Sequence, residues 1–325
     1  MPFKIYNAKT LDDAVADLKS GKVIAFPTET VYGMGADASN VNAVQKVYEV
    51  KSRPISSPLI VHIDNPDKAK LLAKNIPSHY WVLAQAFWPG PLTIVLDKSE
   101  IVPDIITSGH STVALRVPFN KLALSCLQHF DQGLVGPSAN PFGKISPTCA
   151  DHVFESFEQK IDGVIDGGIS NVGIESTILH LTDNTAKILR HGLITPSMIT
   201  NVLDPSIRLL QGPSSIPSPG RDKSHYAPDK PMFIVDSQDI NEKMTFLSSR
   251  YKVIGFGYSK LKFKNWHTLS IDSRIYASQL YNMLHRANKS SADVIVCQKP
   301  PNSENWLAIM DRLNKAATNQ EMVSS

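Results

Sequence analysis

The chain has 325 residues, 42% hydrophobic and 19% charged, enough apolar material to bury a core in one large or two medium domains, which excludes wholesale disorder. Its net charge of +3 is too small for a general nucleic-acid coat but suits a local pocket for an anionic substrate. There is no run of about 18 apolar residues, which excludes a membrane-spanning helix, and the start MPFKIYNAKTLDD lacks the apolar stretch of a secretory signal.

The N-terminal part mixes strands and helices. Apolar, β-rich runs predict strands over 23–26, 59–63, 92–96, 112–117 and 176–181. Helical spacing predicts helices over 41–50, where Val44, Val47 and Tyr48 share a face, and near 81–87, 121–129 and 149–157. Gly and Pro turns flank many of these runs, which favours a twisted mixed sheet with flanking helices over a strict doubly wound repeat. The stretch 205–231 holds six of the 22 prolines. Proline fixes φ and removes a donor, so this stretch reads as an interdomain linker between a domain of 1–204 and one of 232–325. The second domain alternates strands (232–235, 253–256, 293–297) with helices (276–287, 306–317), the pattern of a small parallel α/β unit. Its GFG at 255–257 is not a dinucleotide fingerprint. Cys126, Cys149 and Cys297 form neither a disulfide framework nor a zinc pattern, which suits reduced thiols and a cytoplasmic location.

Polar residues of the first domain gather at strand ends and turns. PTETVYGMG (27–35) follows the strand VIAF, where hydroxyls and N–H groups face a ligand crevice or simply form a capped turn. In KSRP (51–54), Lys51 and Arg53 suit phosphate oxygens; a helix C-terminus would also explain them. His62 sits among apolar neighbours, the usual setting of a core histidine. Arg116, inside the apolar run STVALRVP, needs a partner, either a substrate carboxylate or a buried Asp or Glu. GPSANPFGKISPT (136–148) is a rigid, donor-rich loop of the kind that forms anion nests. GIEST (173–177) and ILRHG (188–192) add hydroxyls and the internal Arg190. No phosphate loop, kinase signature, nucleophile elbow or HExxH is present. Lys, Arg, Ser, Thr and Asn remain, a set that binds a nucleotide plus a small anion and works by positioning and electrostatics.

These motifs, with KSRPISSPLIVHI, FWPGPLTIVL and the linker SPGRDKSHYAP, resemble the YrdC-like threonylcarbamoyl-adenylate synthases in their long, two-domain form, in family order. Met34 stands where leucine is usual and Ser57 where a larger polar residue is common. The resemblance implies condensation of L-threonine, bicarbonate and ATP to threonylcarbamoyl-AMP and pyrophosphate. A transferase would then move the threonylcarbamoyl group to an adenosine next to the tRNA anticodon. It implies that Thr30, His62, Arg116, Ser138 and Ser176 serve threonine, with Arg116 on the carboxylate. Lys51, Arg53, Ser57, Thr112, Asn140, Thr148 and Arg190 would serve ATP, with His225 or Tyr226 closing from the linker. Mg2+ is expected with ATP, with no metal ligand or nucleophile assigned. Two other readings stand beside this one. The first is an RNA-binding module with weak tRNA contact, against which the low charge counts. The second is a carbamoyltransferase like the hydrogenase-maturation proteins, whose zinc-finger and acylphosphatase portions are absent from this sequence.

Overall fold

The computed structural model describes residues 3–214, 216 and 226–318. The first unit runs β1 (Lys4–Tyr6), α1 (Leu11–Lys19), β2 (Ile24–Phe26), β3 (Gly33–Asp37), α2 (Val41–Lys51), β4 (Ile60–His62), α3 (Ala69–Leu72), α4 (Ser78–Phe87) and β5 (Leu92–Asp97). It continues with α5 (Asp104–Thr107), β6 (Thr112–Arg116), α6 (Lys121–Phe130), β7 (Leu134–Val135), α7 (Ala150–Phe157), β8 (Gly163–Ile165), β9 (Thr177–Thr182), β10 (Thr185–Arg190), α8 (Pro196–Thr200) and β11 (Arg208–Leu210). Its eleven strands form one sheet in the order β1-β8-β2-β3-β7-β4-β6-β5-β9-β10-β11. Pairing is mixed, parallel at β4–β6 and β5–β9 and antiparallel at β5–β6 and β9–β10. The expected mixed sheet with flanking helices is therefore present. β11 lies inside 205–231, so the sheet continues to Leu210 before the proline-rich stretch.

Strand alternation divides this sheet into two faces. Val61, Ile94, Val113, Leu115 and Leu179 point to one side and join the main core with Val44 and Val47 of α2 and Tyr80 and Leu83 of α4. The opposite face is covered at its β1–β8–β2 end by α1 and α6, which pack on Ile24, Phe26 and Ile165. Over β4, β6, β5 and β9 that same face carries only a small apolar patch, Ile60, Ala114, Val95 and Ile178. His62 and Arg116 share this face with the patch, which locates the functional region.

The segment 27–35, read as a turn, contains the start of β3. Its glycines are what make a strand possible there. A Cβ on Gly35 would lie 2.6 Å from the Ile24 carbonyl oxygen, and one on Gly33 2.9 Å from the Phe26 ring.

The second unit comprises β12 (Met232–Val235), α9 (Ile240–Ser248), β13 (Val253–Gly257), β14 (Trp266–Thr268), α10 (Ser273–Lys289), β15 (Val294–Gln298) and α11 (Leu307–Ala316). Its four strands are all parallel, in the order β12-β15-β13-β14. Helix α9 covers one face, while α10 and α11 cover the other. The α10–α11 layer also packs on the first unit, because Val31, Ile145, Ile174 and Tyr226 share one apolar cluster with Tyr276, Tyr281, Leu284 and Ile309. Gly173 makes the approach possible. Its φ is +77° and an added Cβ would lie 2.5 Å from Ser278 Cα on α10. No helix among the described residues is long and apolar enough to cross a membrane.

The two units also meet through a stacked pair, His152 of α7 and His285 of α10, with ring centroids 3.7 Å apart. His285 Nε2 donates to the Ser146 carbonyl at 3.1 Å. Burial, then the charge of its partner, pushes the His152 imidazole down to about 3, and burial lowers His285 as well. A histidine held neutral in the fold contributes its stability fully above the unfolded value of 6.5 and loses it as pH falls below that value. Thermal melts should therefore show Tm falling with pH below 6.5, with a shallower slope in His285→Phe; an identical slope in that variant would remove the pair from the account.

Candidate active site

The part of the sheet face around Ile60, His62 and Arg116 borders a cavity. Its wall brings together Thr30, Arg53, His62, Arg116, Ser138, Arg190 and Tyr226 from the sequence expectation, and adds Glu175. These eight residues come from eight separate places along the chain, several of them set by a local rule. The β4–β6 register places His62 directly beside Arg116 at the strand ends. Helix α2 is capped by Asn40, which accepts from Asn42 and Ala43 N–H. It ends at Ser52 in a left-handed turn (φ 52°), which swings Arg53 into the wall. The β9–β10 hairpin brings Arg190 back beside Ser176, which immediately precedes β9.

Arg116 has the protein partner that its burial demands. Its Nη2 lies 2.7 Å from Glu29 Oε1, both side chains being almost fully buried, and its Nε donates to the Gly90 carbonyl at 3.3 Å. Glu29 Oε2 accepts from the Phe119 N–H at 2.9 Å. Arg116 therefore combines the two expected options, being paired to a buried carboxylate while its guanidinium borders the cavity. His62 is edge-on to Phe26 at 5.2 Å. Burial, and then Arg116, keep its pKa well below the usual value, so the imidazole is neutral. Gly136 crosses its ring so closely that a Cβ would stand 2.6 Å from Nδ1.

The phosphate candidates divide in two. Arg53 lines the cavity, and its fork is shaped by Ser57, with Nε to the Ser57 carbonyl at 3.1 Å and Nη2 to Ser57 Oγ at 2.5 Å. Arg190 also lines it, donating Nε to the Ser176 carbonyl at 3.1 Å and Nη2 to Ser176 Oγ at 3.2 Å; Ser176 Oγ in turn lies 2.7 Å from Thr93 Oγ1. Lys51 is placed differently. It is fully buried at the end of α2 and donates to the carbonyls of Ser138 and Asn140. Burial, then the nearby Arg53 charge, pushes its ammonium well below the ordinary value. Its visible role is to hold the 136–148 loop against α2. Asn140 serves the same loop, donating to the Pro141 and Lys144 carbonyls, and the Thr148 N–H meets His152 Nδ1 at 3.3 Å. Thr112 is on the same sheet face as Arg116, four residues away along β6, a separation of roughly 13 Å, and is outside the cavity wall. His225 lies outside the described residues. Its neighbour Tyr226 is buried with φ 63°.

Glu175 was not expected. It is buried, and its carboxylate faces three donors: Arg312 Nε at 2.7 Å, Ser146 Oγ at 2.6 Å and the Tyr281 hydroxyl, 3.2 and 2.9 Å from its two oxygens. Burial pushes its pKa up, but Arg312, Arg190 and Ser146 outweigh it and hold the carboxyl at about 2. The signal for Glu29 was indirect, since Arg116 inside an apolar strand requires a carboxylate and TET supplies one, whereas Glu175 answers Arg312 of α11, far away in the chain. With Tyr226 in place the free volume is about 40 Å³, far below the roughly 300–1,000 Å³ of ligand pockets. Tyr226 is one of the residues that close this wall.

Residues 16–192 match the family described as telomere recombination (Sua5_yciO_yrdC), and residues 194–318 match the threonylcarbamoyl-AMP synthase C-terminal domain. The threonylcarbamoyl-AMP synthase of Pyrococcus abyssi is 38% identical over 319 residues, covering 94% of this chain and 93% of that protein. The protein of the same name from Bacillus subtilis is 36% identical over 327 residues, covering 96% and 94%. The crystal structure of P. abyssi Sua5 complexed with L-threonine has a TM-score of 0.89 at 36% identity, covering 97% of each chain. E. coli YciO, at 19% identity and TM-score 0.53 over 59% of this chain, shares the fold of the first unit.

Removing Glu29 would leave the Arg116 charge buried without its carboxylate. Glu29→Ala should lower the unfolding free energy by about 3–5 kcal/mol in urea titrations, and Glu29→Ala with Arg116→Met should recover most of that loss. Equal losses in the single and double variants would show that the two charges are not coupled.

Proposed function

This chain belongs to the Sua5–YciO–YrdC family, and on that basis we propose that it is a threonylcarbamoyl-AMP synthase, forming threonylcarbamoyl-AMP and pyrophosphate from L-threonine, bicarbonate and ATP. The observation that carries this reading is the convergence of Arg53, Arg116 and Arg190 on one cavity beside neutral hydroxyl and imidazole groups. Such a wall takes two anions, a small carboxylate and a polyphosphate, and orients a neutral amine between them.

The chemistry asks little covalent help from the protein. The threonine amine and bicarbonate give a carbamate and water. A carbamate oxygen then attacks the α-phosphorus of ATP, and the bond to the β-phosphate oxygen breaks to release pyrophosphate. Arg116 binds the threonine carboxylate by a charge-assisted contact, while Glu29 keeps its guanidinium from rotating away. Thr30 and Ser138 supply hydroxyls from the wall, Ser176, expected to contact threonine, instead lies behind the wall and orients Arg190, and the neutral His62 accepts a hydrogen bond without adding a positive charge beside the amine. Arg53 and Arg190 balance the charge that builds on the phosphates. Lys51, Asn140 and Thr148 act through the 136–148 loop, and Ser57 through Arg53. Tyr226 shields the reactants and excludes water from the mixed anhydride. The labile anhydride is proposed to pass to a transferase that moves the threonylcarbamoyl group to a tRNA adenosine, as the family membership implies.

Among the described residues no group of three His, Cys, Asp or Glu stands where it would hold a metal, and Glu29 and Glu175 are engaged by Arg116 and Arg312. These residues do not fit a protein-held Mg2+. The ion accompanying ATP is proposed to be carried by the phosphates themselves.

Pyrophosphate release should require ATP, bicarbonate and L-threonine together. L-serine should be intermediate and L-valine poor, because a site built around a hydroxyl leaves its own polar groups unpaired when the hydroxyl is missing. Equal rates with valine and threonine would refute the threonine pocket. Arg116→Lys, which keeps the charge but loses the fork, should raise the KM for threonine about tenfold or more and move the KM for ATP little. A change confined to ATP would reassign Arg116.

A further inference from the structure

We propose that Arg312, on α11 of the second domain, is a positioning residue for the nucleotide-binding Arg190 of the first. This rests on the reading of the cavity as an ATP site. Arg312 is completely buried and its guanidinium is fully engaged. Nε donates to Glu175 Oε2 at 2.7 Å, Nη1 to Asp311 Oδ2 at 2.5 Å and Nη2 to the His191 carbonyl at 3.0 Å. Two of these three partners belong to the first domain, and they flank the same two site residues. Glu175 immediately precedes Ser176, and His191 immediately follows Arg190. Arg312 thus staples together the two chain segments whose side chains form the Arg190–Ser176 contacts.

Charge gives the staple a second role. Glu175 lines the cavity beside Arg190, and Arg190 feels it electrostatically. A bare carboxylate there would attract Arg190 and repel a polyphosphate. Arg312 satisfies that carboxylate from behind, so Arg190 stays oriented by Ser176 toward the incoming anion. Asp311, which bridges Arg312 and Lys315, keeps the staple itself from adding an uncompensated charge. The guanidinium also faces the Tyr226 ring at 5.3 Å, so the same side chain contacts a further residue of the cavity wall. On this account the second domain completes the nucleotide half of the site without touching substrate.

The test is calorimetric titration of the full chain with ATP, and steady-state kinetics, for wild type, Arg312→Lys, Arg312→Met and Arg312→Met with Glu175→Gln. Arg312→Met should weaken ATP binding about tenfold and raise the KM for ATP in step, with kcat and the KM for threonine within about twofold. Arg312→Lys, which keeps the charge and folds more readily, should fall between it and wild type. Adding Glu175→Gln to Arg312→Met should recover most of the lost ATP affinity, since the competing carboxylate is gone. An Arg312→Lys or Arg312→Met protein that melts earlier but binds ATP as wild type does would overturn the inference and leave Arg312 a purely structural residue. So would an equal loss of threonine and ATP affinity. Failure of the wild-type chain to bind ATP at all would overturn the reading on which it rests.

Discussion

Burying arginine is the constraint around which this molecule is arranged. Arg116, Arg190 and Arg312 are each less than a tenth exposed, and a guanidinium removed from water is tolerable only when its charge is paired or its donors are met. The Glu29 carboxylate offsets the Arg116 charge, Glu175 accepts from Arg312, and Ser176 accepts from Arg190. Each pairing costs conformational freedom, and together they fix where the cavity wall can be. The strand register of β4 and β6 then decides that His62 stands beside Arg116 and not one residue away. The core on the other sheet face holds that register, because a slip of one residue would send Val61, Val113 and Leu115 to the wrong side.

The same constraint explains why the second unit is docked and not merely tethered. Glu175 lies on a first-unit loop, yet two of its ligands, Arg312 and Tyr281, come from α11 and α10. Apolar packing reinforces the charge pairing, since Ile145, Ile174 and Tyr226 complete a cluster whose bulk belongs to the second unit. Gly173, with no side chain and a left-handed backbone, lets the loop carrying Glu175 lie against α10. The packing of the two units and the organisation of the cavity are therefore one problem with one solution.

Much of this was legible in the residues. β4, β5, β6 and β9 announce themselves as apolar runs at strand spacing, and Arg116 and Arg190 as cations stranded within such runs. β3 was not legible because Gly33, Gly35 and Ala36 lack the branched side chains that mark a strand; its pairing comes from close backbone approach to β2. β11 lies in a stretch that composition marks as linker, and it becomes a strand only by joining β10. Helix α1 carries helical spacing at Leu11, Ala14, Val15 and Leu18, so it was readable although the expectation omitted it. The carboxylate partners were harder. Glu175 and Arg312 are 137 residues apart, and no local pattern says which buried charge answers which. Lys51 shows the converse. Its motif reads as a phosphate contact, whereas burial between α2 and the 136–148 loop makes it an anchor.

One cavity, walled by Arg53, Arg116 and Arg190, is proposed to receive a carboxylate at Arg116 and a polyphosphate at Arg53 and Arg190. A crystal structure of the full chain with L-threonine and a non-hydrolysable ATP analogue tests it most directly. The account predicts the threonine carboxylate on Arg116 with the Glu29 contact retained, the phosphates between Arg53 and Arg190, and Tyr226 displaced from its present seat. Both ligands bound elsewhere, with the arginine contacts and Tyr226 unchanged, would contradict it.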